Sequence, residues 1–147
     1  METTMPNGPK FDKWNDAVLT TEIIMKGNNY VKGAADFVPA IIHRPRNLPK
    51  NKSPCMIYYH GGGGFAGSAK GYLTIVNRYA LEGEMVVLNV DYRLAPEHKA
   101  PLGVLDAYAA VKFAHQYADD LGIDKTRIGI MGDSGGGYIT TAVGMIL

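Results

Sequence analysis

The sequence predicts an α/β protein, a three-layer α/β/α sandwich built on a mostly parallel sheet. Three observations carry that expectation. Short strand-like runs alternate with helix-spaced segments along the chain, which implies right-handed crossovers and helices on both sheet faces. The runs Cys55–Tyr59, Met85–Val90 and Arg127–Met131 are nearly all apolar, as in strands covered on both faces. Ten of the 18 glycines fall in two clusters, 61–71 and 132–137, each directly after such a run.

Taken in order, residues 1–17 are polar and turn-rich (Pro6, Asn7, Gly8, Pro9) and read as a tail or loop, leaving 18–147 as the folded domain. Leu19–Lys26 and Asp36–Arg44 read as two strands joined through Gly27-Asn28-Asn29, forming an antiparallel edge. Pro45–Pro54 is a basic, proline-bounded loop before the Cys55–Tyr59 strand. Tyr72–Glu82 places Leu73, Val76 and Ala80 on one helix face, with Gly83 as its stop. After the Met85–Val90 strand, Pro101–Leu121 spaces Val104, Ala107, Tyr108, Val111, Ala114 and Ala118 as a helix, closed by Gly122. Arg127–Met131 is the next buried strand, and an apolar helical segment follows to Leu147.

Composition removes several function classes. With 46% hydrophobic and 20% charged residues among 147, the chain can bury a sizeable core, roughly 68% of its unfolded surface. Fifteen Lys and Arg against 14 Asp and Glu leave a formal charge of +1, no footprint for nucleic acid or an anionic membrane. One cysteine, Cys55, excludes an internal disulfide and a multi-cysteine zinc site. The sequence shows neither a signal-peptide pattern nor an 18-residue apolar window. A cytoplasmic protein without a membrane span, metal or cofactor is the expectation.

The chemistry concentrates at three segments. Gly132-Asp133-Ser134-Gly135-Gly136 fits G-x-S-x-G between a predicted strand and a predicted helix, the context of a nucleophile elbow. Glycines two before and two after the serine relieve the sharp turn, and the Gly135 N–H would face a developing oxyanion. His60-Gly61-Gly62-Gly63-Gly64 follows a strand earlier in the chain, where bare backbone N–H groups can approach a tetrahedral intermediate. Between them, Asp91-Tyr92-Arg93-Leu94-Ala95-Pro96-Glu97-His98 ends another strand and carries charges able to brace the site.

These three segments, in this order, resemble the hormone-sensitive-lipase-like α/β-hydrolases, including the bacterial family IV esterases, over roughly residues 36–147. The resemblance implies carboxylic-ester hydrolysis of a small-molecule substrate. Ser134 would be the nucleophile, and Gly61, Gly62 and Gly135 the oxyanion donors. It gives His60 a loop-orienting role and places Asp91, Arg93 and Glu97 on the bracing segment. The family's usual aromatic residue after the glycines is displaced from Gly64 to Phe65.

In this fold the acid and the histidine base follow the serine in the chain. The 13 residues after Ser134 contain no His, Asp or Glu, and all four histidines (43, 60, 98, 115) precede it. The 147 residues therefore read as the N-terminal half of an esterase-like domain, inactive or nearly so on its own. Tyr138–Leu147 is apolar and uncapped, which predicts self-association through exposed C-terminal surface.

Rival readings are weaker. Gly62-x-Gly64-x-x-Gly67 fits a dinucleotide fingerprint, yet it leaves His60 and the Ser134 turn unexplained. The G-D-S-G-G string also occurs in chymotrypsin-type proteases, whose disulfide-linked β-barrel conflicts with the α/β alternation and single cysteine. The competing function is a non-catalytic binding or receptor module that keeps the pocket without the triad.

Overall fold

The computed structural model describes residues 12–147; the proline- and glycine-bearing segment before Asp12 lies outside the described residues. Five strands form one sheet in the order β1-β2-β4-β3-β5, with β1 Val18–Met25, β2 Val38–Pro45, β3 Ser53–Tyr59, β4 Val86–Val90 and β5 Ile123–Gly132. β1 pairs antiparallel with β2, and β2 antiparallel with β4, so the antiparallel edge expected of the two early strands is present. β3 runs parallel to both β4 and β5. The central position of β3 follows from its side chains: Ile57, Tyr58 and Tyr59 are fully buried, so both its faces must be covered.

Strand alternation decides which helix each residue meets. Met56, Tyr58 and Val87 point to one face, where α2 (Leu73–Gly83) covers them with Ile75, Val76, Tyr79 and Ala80. Cys55, Ile57, Tyr59, Val86, Leu88 and Val90 point to the other face. There they meet α3 (Leu102–Gln116), through Val104, Ala107, Ala110 and Ala114, and α4 (Gly135–Ile146), through Ile139 and Val143. The small residues of α3 let its backbone lie close to the sheet. Each large apolar side chain buried this way contributes about 1.5–3 kcal/mol.

Several boundaries differ from the sequence expectation. Asp12–Ala17, part of the segment read as tail or loop, forms a short helix, α1. It is held by Asn77 Nδ2, which donates to Asn15 Oδ1 at 2.8 Å, and by Arg78 lying over the Trp14 ring at 5.1 Å. α2 ends with Glu84, not Gly83, in the left-handed conformation (φ 50°, ψ 51°), because the Met85 N–H reaches back to the Ala80 carbonyl in a Schellman-type turn. α3 stops at Gln116, and Tyr117–Gly122 closes as turns. β5 starts four residues before the apolar run, since Ile123 pairs with Ser53 ahead of an irregularity in the ladder.

Among the described residues, β5 is an edge strand, and α4 beside it exposes Tyr138, Met145 and Ile146, with Leu147 exposed just after it. No helix among them is long and apolar enough to cross a membrane.

Candidate active site

Register brings the three motifs together. Tyr59 on β3 pairs with Val90 on β4 and with Gly132 on β5. The next residues of the three parallel strands, His60, Asp91 and Asp133, therefore emerge side by side at the carboxyl edge of the sheet. That is where open α/β sheets place their ligands.

Ser134 sits between β5 and α4 with φ 52° and ψ −116°, a conformation that L-residues rarely adopt. The turn is tied by Gly136 N–H to the Asp133 carbonyl at 2.8 Å and Gly137 N–H to the Ser134 carbonyl at 2.9 Å. The result is an exposed serine at the start of a twelve-residue helix. Below it, the Asp133 carboxylate accepts hydrogen bonds from the Tyr58 hydroxyl at 2.8 Å and the Tyr79 hydroxyl at 2.9 Å. Burial and then this carboxylate push both phenols above their ordinary pKa, so they stay protonated donors.

The glycine loop lies directly against this turn. A Cβ at Gly135 would stand 2.6 Å from the Gly63 nitrogen. A Cβ at Gly61 would meet the Tyr72 hydroxyl at 2.7 Å, the Asp133 carbonyl at 2.9 Å and the Ser134 β-carbon at 3.4 Å. Only glycine fits at these two positions, so the Gly61 and Gly63 backbones lie against the Ser134–Gly135 turn, whereas a Cβ at Gly62 would meet Ala66 of its own loop and not the serine. The loop is closed by Phe65 and Ala66 N–H groups donating to the Gly62 carbonyl. The Phe65 ring lies over Gly63 and is 69% exposed, so it walls off little around Ser134.

His60 is fully buried. Its Nδ1–H donates to the Gly61 carbonyl at 2.8 Å, and its ring stacks on Tyr92 at 4.6 Å. Nε2 makes no hydrogen bond and lies 3.7 Å from Asp91 Oδ1. These contacts tie His60 to the loop and none reaches Ser134. Tyr92, whose phenol burial pushes up to about 12, donates to the His60 carbonyl at 2.6 Å. Asp91 accepts from the Ala69 N–H at 2.9 Å, fixing the far end of the same loop.

Arg93 braces the segment through a partner that sequence reasoning missed. Asp106 on α3, 1% exposed, accepts from Arg93 Nε at 2.8 Å, Arg93 Nη2 at 2.9 Å, the Arg93 N–H at 3.0 Å and the Ala35 N–H at 2.8 Å. The braced segment then meets the glycine loop, with Ala95 N–H donating to the Gly64 carbonyl at 2.8 Å. Glu97, in contrast, is exposed and has no hydrogen bond or ion pair among the described residues. Asp106 occupies a helix position where a lone acidic residue among apolar neighbours was the available signal.

A second polar chain runs beneath the site. His43 on β2 is fully buried; its Nδ1–H donates to Asn77 Oδ1 at 2.7 Å, and Nε2 accepts from Asn89 Nδ2 at 3.3 Å. Asn89 also donates to the Ala69 carbonyl at 2.9 Å. Desolvation lowers the His43 pKa to about 4, against the hydrogen bond to Asn77, so the ring is neutral.

The remaining histidines, His98 and His115, are exposed, and among the described residues no histidine hydrogen-bonds to Ser134. No three His, Cys, Asp or Glu side chains among them are grouped to hold a metal ion. A groove of about 450 Å³, lined by Glu22, Ile24, Pro39, Ser68, Lys70 and Asp91 among others, opens on the far side of Asp91 and does not include Ser134.

Fold and motif geometry define an α/β-hydrolase, and residues 56–147 match the family described as alpha/beta hydrolase fold; the chain belongs to it. It is 35% identical over 109 residues to carboxylesterase NlhH of Mycobacterium tuberculosis, covering 74% of this chain and 34% of that protein. It is 38% identical over 114 residues to carboxylic ester hydrolase LipN of the same organism, covering 77% and 30%. Among solved structures, the Pyrobaculum calidifontis esterase superposes with a TM-score of 0.79 at 34% identity, covering 92% of this chain and 43% of that one. A bacterial heroin esterase superposes with a TM-score of 0.82 at 31% identity, covering 95% and 41%. The resemblance to hormone-sensitive-lipase-like esterases read from the motifs thus holds. The chain spans about a third of the length of these curated relatives.

Proposed function

We propose that the chain carries the nucleophile and oxyanion half of a serine carboxylesterase acting on small esters. The supporting observation is the meeting of a strained, exposed Ser134 with the Gly61–Gly63 backbone on one side and Gly135 on the other. In this reading Ser134 Oγ attacks the ester carbonyl, the Gly61, Gly62 and Gly135 N–H groups stabilise the oxyanion, and the alcohol leaves. His60, Asp91, Arg93 and Glu97 act as supports and not as acid or base. The single cysteine, Cys55, whose thiol burial pushes up to about 12, fits a reducing cytoplasmic setting.

Because no histidine reaches Ser134, the 147 residues alone acylate slowly and deacylate more slowly still. With 4-nitrophenyl acetate, the carbonyl–oxygen bond breaks, nitrophenolate leaves, the acetyl group joins Ser134 Oγ and its proton goes to solvent. Intact-mass measurement is expected to show one acetyl group at Ser134, absent in Ser134→Ala, with no sustained turnover. Acetylation scattered over lysines refutes the nucleophile assignment. Turnover at ordinary enzyme rates, about 1–10³ per second, abolished in Ser134→Ala, refutes the inactivity. The same absence of a base supports a second reading, a binding module of this fold, which predicts ligand binding unchanged by Ser134→Ala. The exposed Tyr138, Met145, Ile146 and Leu147 support self-association as a further part of the proposal.

A further inference from the structure

Four tyrosines on or packed against the strands that lead to the nucleophile turn have committed hydroxyls. Tyr58 and Tyr79 donate to Asp133, Tyr59 to the Ala107 carbonyl and Tyr92 to the His60 carbonyl. A fifth, Tyr72, ends the short 3-10 turn Lys70–Tyr72 that leads into α2. Its hydroxyl makes no hydrogen bond among the described residues. Its ring is nevertheless held by aromatic neighbours. The ring packs against Tyr58 at 6.2 Å and against His60 at 5.8 Å, so His60 is held between Tyr72 and Tyr92. The hydroxyl ends beside Gly61, at the point where the Ser134 β-carbon also arrives. An unengaged donor thus shares the space beside Gly61 with Ser134, at 2.7 Å and 3.4 Å from where a Cβ on Gly61 would stand.

We infer that Tyr72 is a substrate-contacting hydrogen-bond donor, binding an oxygen of the tetrahedral adduct on Ser134 from the α2 side. This rests on the proposed esterase reading. Gly61, Gly62 and Gly135 supply main-chain donors to the oxyanion, whereas Tyr72 supplies a side-chain donor to an oxygen outside that set. It would favour substrates that present an acceptor there. A backbone N–H survives every substitution except proline, which would also change the loop, but this side-chain donor can be deleted alone.

The test uses phenylboronic acid and the 147-residue chain. Ser134 Oγ forms a bond to boron, which passes from trigonal to tetrahedral and gains a negative charge as the serine proton goes to solvent. Boron-11 NMR follows that change, and titration yields the dissociation constant. Tyr72→Phe keeps the ring packed on Tyr58 and His60, so its thermal midpoint is expected to match the wild type. Its adduct is expected to weaken about tenfold, the effect of one hydrogen bond to a charged group. A folded Tyr72→Phe chain that binds the boronate within twofold of wild type overturns the inference while leaving the esterase reading intact. A wild-type chain whose boron signal is the same as that of Ser134→Ala overturns both.

Discussion

Replacing Asp106 by alanine tests how the Arg93 segment is held. The carboxylate is buried and accepts four hydrogen bonds, three from Arg93 and one from the Ala35 N–H. Removing it leaves a guanidinium and two main-chain N–H groups without their acceptor. Breaking a buried ion pair from one side costs about 3–5 kcal/mol. The Arg93 side chain is 22% exposed and keeps its 2.8 Å bond to the Gly33 carbonyl, which favours the lower end, about 3 kcal/mol. For a domain near 150 residues that is a fall in thermal midpoint of about 6–12 °C. Urea unfolding followed by circular dichroism measures it, with the slope expected to stay constant. Arg93→Ala and the double variant complete a cycle, and a coupling above about 1 kcal/mol is expected for groups in direct contact. An Asp106→Ala loss below about 1 kcal/mol would show that the segment is held by packing alone, and the bracing argument would fail.

Two further outcomes follow from the same structure. The His43 pKa is lowered to about 4, so between about pH 6.5 and 4 the unfolded chain binds a proton that the folded chain refuses. Its contribution to stability is present above pH 6.5 and is lost as pH falls, by about 3 kcal/mol at pH 4. His43→Gln should flatten that part of a pH-stability profile, and an unchanged profile would contradict the buried neutral ring. Ser134, at φ 52° and ψ −116°, stores backbone strain that glycine does not feel. Ser134→Gly is expected to gain about 1 kcal/mol of stability while Ser134→Ala gains nothing comparable, as thermal melts of the two would show. Equal midpoints would argue against stored strain.

Much of this was legible from order and periodicity. The alternation of apolar runs with helix-spaced segments located every β-strand and the three longer helices, because strands covered on both faces read as continuous apolar runs while helices repeat with their own period. The two glycine clusters marked the loops where backbones approach closely, and the Gly61 and Gly135 geometry supplies the reason. What the sequence could not display were contacts between residues far apart in the chain. Asp106 looked like one acidic residue on an apolar helix, and only the approach of Arg93 turns it into the anchor of a loop. His43 read as a strand histidine, yet the Asn77 and Asn89 amides arriving from α2 and β4 explain why it can be buried. Tyr72 sat inside a helix pattern with nothing to separate it from core aromatics. Asp12–Ala17 lacked a periodic apolar face, and its docking depends on Asn77 and Arg78, which lie more than sixty residues away.

The chain's local chemistry thus determined which elements form and which loops must be glycine-rich, since those depend on neighbours a few residues apart. Tertiary structure decided how the side chains of that site, and the ones that support it, meet. Pairing of Tyr59 with both Val90 and Gly132 sets His60, Asp91 and Asp133 side by side, and the turn leading into α2 brings the Tyr72 hydroxyl beside Gly61. The hydrophobic pattern limits register by fixing which face is buried, but which strands and helices meet across that face is a long-range choice.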